Sequence, residues 1–242
     1  MRLKWVLLVG SWLVASSLAF AQGGPPLLTD DPGTPGNHNW EINLGFTFDH
    51  RPGSTQYEVP QVDINYGYGE RIQLKYQVPW IMLSEHGSGR RDGLGNSLFG
   101  VKWRFFEDEK RGLELSTYPQ LELNNPNRSV QRNLVDRGAR FLLPIEVVKK
   151  VGSFDLNGEA GYWFPQYGPG AWILGLAAGR QMNKRLELLG EIYDYRTARP
   201  GQTDTTFDGG GRLKVKGPLV LLFMAGRSFR GSASGQSQFI GY

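Results

Sequence analysis

Apolar and polar residues alternate with a period of two in segment after segment of this chain. The clearest segment is 71–82, with Ile72, Leu74, Tyr76, Val78 and Trp80 on one face and Arg71, Gln73, Lys75, Gln77 and Pro79 on the other. Because successive side chains of a strand point to opposite faces, this pattern predicts a strand with one apolar and one polar wall. Its length suits a tilted strand that crosses a bilayer.

The same alternation recurs in about twelve segments. They are 39–50, 55–68, 71–82, 94–106, 112–124, 138–148, 153–165, 171–182, 186–195, 205–215, 219–229 and 236–242. In the second segment Tyr57 and Val59 are out of phase with Val62, which predicts a bulge near Pro60. Short turns alternate with longer loops, here 84–93 and 125–136, as in outer-membrane barrels. The pattern predicts an all-β fold, an antiparallel up-and-down transmembrane β-barrel of about 12 strands.

Aromatic residues are placed where a membrane barrel needs them, at the two ends of its strands. The predicted aromatic girdle consists of Trp40, Tyr66, Tyr68, Trp80, Trp103, Phe105, Tyr162 and Trp172. The alternative is a soluble β-protein with these rings in its core. That alternative would require the charged face of every strand to face solvent, so the membrane barrel is favoured.

The polar faces of the strands predict the inner wall of the barrel. The predicted lumen-lining residues are Glu41, Asn43, Arg71, Gln73, Lys75, Gln77, Lys102, Arg104, Glu114, Glu122, Arg140, Glu146 and Glu159. Two functions remain open for such a lumen. It could pass a small solute or hydrophobic compound, or salt bridges could plug it, since narrow barrels are often filled by their own side chains. In the second case the barrel would be structural, with loop arginines Arg90, Arg91, Arg128 and Arg132 touching lipopolysaccharide phosphates.

The amino terminus predicts export. Residues 1–21 carry Arg2 and Lys4, then an apolar run that ends in Ala19-Phe20-Ala21, which is the pattern of a cleaved signal peptide. Residues 22–38, rich in Gly, Pro and Asp, predict an extended periplasmic segment before the barrel at 39–242. Without cysteine the chain forms no disulfide. About 25 basic and 23 acidic residues, dispersed in the mature chain, argue against a nucleic-acid partner.

Two stretches resemble a known family. Pro26-Leu27-Leu28-Thr29-Asp30-Asp31-Pro32-Gly33-Thr34, followed by Trp40-Glu41-Ile42-Asn43, is similar to an outer-membrane β-barrel family named for the meta-pathway of phenol degradation. The resemblance continues through 95–104 and covers most of the mature chain. It implies an outer-membrane barrel with a channel or transport role and offers no catalytic motif. The phenol in the family's name is not read as a substrate here.

Candidate chemistry changes little in this picture. The histidines are His38, His50 and His86, and the neighbours Ser84 and Glu85 stand beside His86 in a predicted loop. Adjacency in a loop does not place a nucleophile against an oriented base, so a lipid-acting enzyme is the third and weakest alternative. Asp30-Asp31 precedes Pro-Gly and is foremost a turn signal rather than a calcium site. We predict no catalytic residue, metal or cofactor. The expected partners are outer-membrane lipid, lipopolysaccharide and an unidentified small solute; oligomeric state stays open.

Overall fold

The computed structural model describes residues 26–199, 203–230 and 236–242. The predicted signal peptide and residues 22–25 lie outside these ranges. The described strands are β1 (Trp40–Arg51), β2 (Ser54–Tyr68), β3 (Ile72–Glu85), β4 (Gly89–Leu94), β5 (Ser97–Asp108), β6 (Leu113–Thr117), β7 (Gln120–Leu123), β8 (Arg140–Val151), β9 (Phe154–Pro165), β10 (Ala171–Gln181), β11 (Leu186–Thr197), β12 (Thr203–Lys216), β13 (Leu219–Arg230) and β14 (Ser237–Gly241).

These strands form one closed antiparallel barrel of twelve strands, which confirms the predicted fold class. Two barrel strands are interrupted. β4 and β5 are one strand broken at Gly95 and Asn96, and β6 and β7 are one strand broken at Tyr118 and Pro119. Both halves of the second strand pair with β5 on one side and β8 on the other.

The short last strand closes the barrel. β14 pairs with β13 and with β1, in a register that places Phe239 opposite Phe48 and Ser237 opposite His50. Tyr242 continues this edge through two backbone hydrogen bonds with Leu222. Because an unpaired strand edge is costly in lipid, this pairing matters more than the length of β14.

The two faces of the strands differ as their sequence predicts. In β10 the outward residues Trp172, Leu174 and Leu176 are exposed, whereas Ala171 and Ile173 face inward and are buried. The same contrast recurs around the barrel, so an apolar outer wall surrounds a polar interior. The bulge expected near Pro60 is confirmed by a register shift between Glu58 and Gln61 against both neighbouring strands.

One predicted loop is wrong. We expected residues 84–93 to form a long polar loop, but β3 continues to Glu85 and pairs with β4 across a tight turn. Gly87 and Gly89 have φ angles of 83° and 72°, which allow the sharp reversal. The charged sequence Arg90-Arg91-Asp92 therefore extends a hairpin beyond the apolar wall. In contrast, residues 124–139 contain no strand, as expected for the second loop.

Among the described residues, none lies in a helix that is long and apolar enough to cross a membrane.

Candidate functional site

Residues 26–36 lie inside the barrel, and we call them the N-terminal segment. The sequence analysis predicted an extended periplasmic segment before the barrel at 22–38 and assigned it no contact with the barrel wall. Pro26, Leu27, Thr29, Asp31 and Pro32 are buried, although they belong to no strand. A Pro-rich chain forms few hydrogen bonds with itself, so its backbone needs partners on the surrounding wall. The barrel supplies those partners.

Two glutamates of the wall bind the backbone of the segment. Glu191 on β11 accepts hydrogen bonds from the Leu28 amide at 2.7 Å and the Thr29 amide at 2.8 Å, and also from the Thr29 hydroxyl at 2.6 Å. Glu159 on β9 accepts one from the Asp30 amide at 3.0 Å. Three consecutive amides are thus held by two carboxylates, and hydrogen bonds to a charged acceptor are stronger than neutral ones.

Lys102 on β5 fixes the same segment from another side. Its ammonium group lies 2.6 Å from Asp30 Oδ1, donates to the Asp31 carbonyl oxygen and lies 4.0 Å from Glu146 Oε2. It also lies 4.7 Å from the centre of the Tyr118 ring. Lys102 is 2% exposed and Glu146 is fully buried, so this charge is shielded from solvent. A buried lysine is stable only when paired, and here the N-terminal segment provides its nearest carboxylate.

The wall is shaped to admit the segment. A methyl group on Gly175 would overlap the Thr29 hydroxyl, and one on Gly67 would overlap the Gly36 carbonyl oxygen. At both positions glycine allows the segment to approach a strand closely, with the Thr29 side chain at Gly175 and the Gly36 backbone at Gly67. His38 then donates its amide to the Gly67 carbonyl at 2.9 Å, which leads the chain out of the lumen towards β1.

Apolar contacts hold the start of the segment. Leu27 packs in a buried cluster with Ala177, Leu189 and Met224, and Ile240 covers that cluster from β14. The interior is therefore not uniformly polar, and Leu27 occupies an apolar patch of the inner wall. Burying a leucine stabilises its position by about 1.5–3 kcal/mol.

The predicted lumen residues fall into three groups. Asn43, Gln73, Lys102, Glu146 and Glu159 are buried in the interior. Several others form ion pairs or hydrogen bonds on the inner wall: Lys75 with Asp63 at 3.4 Å, Arg104 with Glu114 at 3.1 Å, Arg140 with Glu122 at 2.6 Å, and Glu41 with Asn43 at 2.9 Å. Gln77 is half-buried on β3, and Arg71 lies in the exposed turn before that strand.

Sequence reasoning missed several residues of the site. Glu191 is not among the predicted lumen residues, yet it binds amides of the segment; Glu187, four residues earlier on the same strand, pairs with Arg212 at 3.3 Å. Asp30 and Asp31 were interpreted as a turn signal only. The sequence nevertheless contained one indication. The alternation on β5 turns Lys102 towards the lumen, where a buried lysine needs an acidic partner.

The predicted girdle residues lie on the outer wall. Trp40, Tyr68, Trp80, Trp103 and Trp172 are each more than 40% exposed, as aromatic belt residues must be before lipid covers them. Two neighbouring pairs have their rings in contact: Trp40 and Tyr66 are tilted against each other at 4.7 Å between centroids, and Trp172 and Tyr162 meet edge to face at 4.8 Å. Phe105 is exposed beside Trp103.

The loop arginines are mostly engaged within the protein. Arg91 pairs with Glu85 and also donates to the Arg132 carbonyl oxygen. Arg132 lies 4.0 Å from Asp92, and Arg128 is exposed on the loop 124–139. Arg90 contacts the Met82 sulfur. These contacts fasten the loop 124–139 to the β3–β4 hairpin.

The histidines do not form a recognisable catalytic arrangement. His50 Nδ1 lies 2.9 Å from the Thr55 hydroxyl, and His38 Nδ1 lies 2.8 Å from the Tyr66 hydroxyl. His86 shares an open surface depression with His50 and Ser84, and within the described ranges no hydrogen bond joins that serine to either imidazole. In the same ranges no group of three or more His, Asp or Glu side chains is arranged to hold a metal ion.

Comparisons with known proteins identify solved structures that have a similar fold. No protein-family model and no curated protein matches the chain. Among solved structures, an outer membrane channel from Pseudomonas putida F1 is similar with a TM-score of 0.66 and 13% identity, over 83% of this chain and 94% of that one. The chain shares its fold with outer-membrane channels. The NanC porin follows at a TM-score of 0.58 and 6% identity, over 82% and 97% of the two chains.

The CymD monoaromatic hydrocarbon channel is similar at a TM-score of 0.50 and 8% identity, over 85% of this chain and 87% of that one. At such identities the likeness concerns the fold alone. The meta-pathway family suggested by residues 26–43 therefore stays a prediction.

Proposed function

We propose that the protein is an outer-membrane channel whose conduit is closed by its own N-terminal segment, and that small solutes cross when this segment leaves the lumen. The observation that carries the proposal is the set of contacts between residues 27–31 and the inner wall. An apolar outer wall, a polar interior and the shared fold support the outer-membrane placement.

The nature of the contacts favours a removable segment over a permanent core. Apart from Leu27, the segment is held by hydrogen bonds and one lysine rather than by a packed apolar interface. Such polar contacts exchange for water when the lumen is hydrated, so the net contribution of each to stability is limited, at about 1.5–3 kcal/mol for a hydrogen bond to a charged group. A segment held in this way can leave without unfolding the barrel.

The charged wall favours polar solutes over hydrophobic ones. The segment binds the carboxylates of Glu159 and Glu191, and a third carboxylate, Glu146, lies 4.0 Å from the ammonium group of Lys102 that holds the segment. One similar barrel is a monoaromatic hydrocarbon channel, and a hydrophobic compound is therefore the alternative cargo to test.

The second candidate function is a structural barrel that never opens. It is favoured by two buried ion pairs within the wall itself, Lys102 with Glu146 and Arg212 with Glu187, which lie on opposite sides of the lumen. In that case removal of the segment would leave the barrel sealed by its own side chains.

Liposome swelling separates these functions. We compare the full-length protein with a chain in which the signal peptide is followed directly by Asn37, and we use small sugars and amino acids as solutes. The shortened chain should swell liposomes manyfold faster, because the covered part of the lumen becomes accessible. If neither protein admits any solute, the channel proposal fails and the structural barrel is supported. Equal swelling by both would show that residues 22–36 do not close the conduit.

A further inference from the structure

Arg227 lies on the outward face of β13, on the lipid side of the barrel. Along β13 the buried residues Leu222, Met224 and Ser228 face the lumen, so Arg227, between them in sequence, points to the outer wall. It is exposed, and the described residues offer it no ion pair or hydrogen bond. An outward arginine is unfavourable in hydrocarbon and becomes tolerable near the headgroups.

Its neighbours form a polar row across four strands. The strand registers place Arg227 opposite Ser237 on β14, Ser237 opposite His50 on β1, and His50 opposite Thr55 on β2. Side chains of such directly opposite residues share one face of the sheet. Arginine, serine and histidine all carry N–H or O–H donors, so the row presents several donors side by side.

The next row towards the barrel's middle is apolar. It consists of Ala225, Phe239, Phe48 and Tyr57, joined by the same registers. Phe207 stands beside Arg227 on β12 and is 58% exposed. The apolar wall thus ends at Arg227, and the polar row lies where lipid headgroups begin.

Next to Arg227, towards the middle of the barrel, the outer wall has room for an acyl chain. A methyl group on Gly209 would meet only the Leu189 carbonyl oxygen, at 3.9 Å, and Gly209 lies opposite Ala225. Phe207 and Phe239 stand on either side of this flat part of the wall.

We propose that the row formed by Arg227, Ser237 and His50 binds a phosphate group of lipid A, the glycolipid of the outer leaflet. A guanidinium group recognises phosphate through paired N–H donors, and the phosphate supplies the counter-charge that Arg227 does not find among the described residues. The partner is an anionic headgroup attached to acyl chains, since the arginine adjoins the apolar wall. The inference rests on the outer-membrane placement and is independent of whether the lumen conducts.

Native mass spectrometry of the full-length protein in detergent tests it. The probes are bisphosphorylated lipid A and the same lipid after enzymatic dephosphorylation. Arg227→Ala should weaken binding of phosphorylated lipid A at least about fivefold, because one charge-assisted contact is lost. Arg227→Lys should keep part of the affinity. Arg111→Ala serves as the control, since Arg111 is exposed on a turn at the opposite end of the barrel.

Two outcomes would overturn the proposal. One is unchanged affinity of the Arg227→Ala protein for phosphorylated lipid A. The other is equal affinity of the unmodified protein for the dephosphorylated lipid. Both leave the liposome-swelling result untouched, so a failure here is distinguishable from a failure of the channel proposal.

Discussion

The chain that lacks residues 22–36 should conduct K⁺ in preference to Cl⁻, by a factor of several. Among the described residues that contact the segment or its lysine, the wall carries three carboxylates, Glu146, Glu159 and Glu191, and one ammonium group, Lys102. When the segment leaves, it removes its own Asp30 and Asp31 together with the amides that occupy Glu159 and Glu191. A wall with excess carboxylates attracts cations and repels anions.

The measurement is the reversal potential of the shortened protein in a planar bilayer under a tenfold KCl gradient. Its sign should correspond to cation flow. A Glu159→Gln, Glu191→Gln double variant in the same background should move the potential towards zero, since two of the three carboxylates become neutral at nearly unchanged volume. An anion-selective pore would contradict the assignment of these residues to the conducting path.

Replacing Lys102 with methionine should destabilise the barrel by about 3–5 kcal/mol, which is the usual cost of removing one partner from a buried charge pair. The side chain of Lys102 is 3% exposed, and its loss leaves Asp30 and Glu146 buried without a cation. Methionine keeps most of the volume, so lost packing contributes little. Urea unfolding of the protein in lipid vesicles measures the change in the free energy of unfolding. A second measurement is the temperature at which the band of the folded barrel disappears in gel electrophoresis.

Two variants control the experiment. Arg111→Met removes an arginine whose side chain is 78% exposed and should change the free energy of unfolding by about 0.5 kcal/mol or less. Adding Glu146→Gln to the Lys102→Met protein should restore part of the stability, because it neutralises a carboxylate left without its partner. If Lys102→Met costs no more than Arg111→Met, the lysine is not the electrostatic centre of the lumen.

The fold could be predicted from the sequence because the barrel is built from a local pattern. Period-two alternation determines which side chains face lipid, and every barrel strand repeats it; β3 and β10 need no tertiary information to be assigned. The bulge near Pro60 was predictable for the same reason, since a single residue out of phase reverses the two faces. The β3–β4 hairpin was missed because its outer half is polar on both faces, so the alternation ends before the strand does.

The site was only half predictable. Lys102, Glu146 and Glu159 follow from alternation, but the partners of Lys102 lie 71 and 72 residues away, in a segment with no period of its own. The composition of residues 26–36 predicts turns, but no local sequence pattern indicates whether these residues stay outside the barrel or enter the lumen. What determines the position of the segment is its fit to the wall. Gly175 and Gly67 leave space for it, and Glu191 offers acceptor oxygens that pair with no cation among the described residues.

The central claim, that the N-terminal segment closes the conduit, is tested most directly by a disulfide that locks the segment in place. A Cβ atom built on Gly175 lies 3.0 Å from Thr29 Cβ, about half an ångström less than the shortest usual Cβ–Cβ distance of a disulfide. The natural chain contains no cysteine, so two introduced cysteines can pair only with each other within one chain. The Thr29→Cys, Gly175→Cys protein should be impermeable to small solutes in liposomes when oxidised, and reduction should restore the permeability of the unmodified protein. Permeability of the oxidised protein equal to that of the chain lacking residues 22–36 would contradict the account.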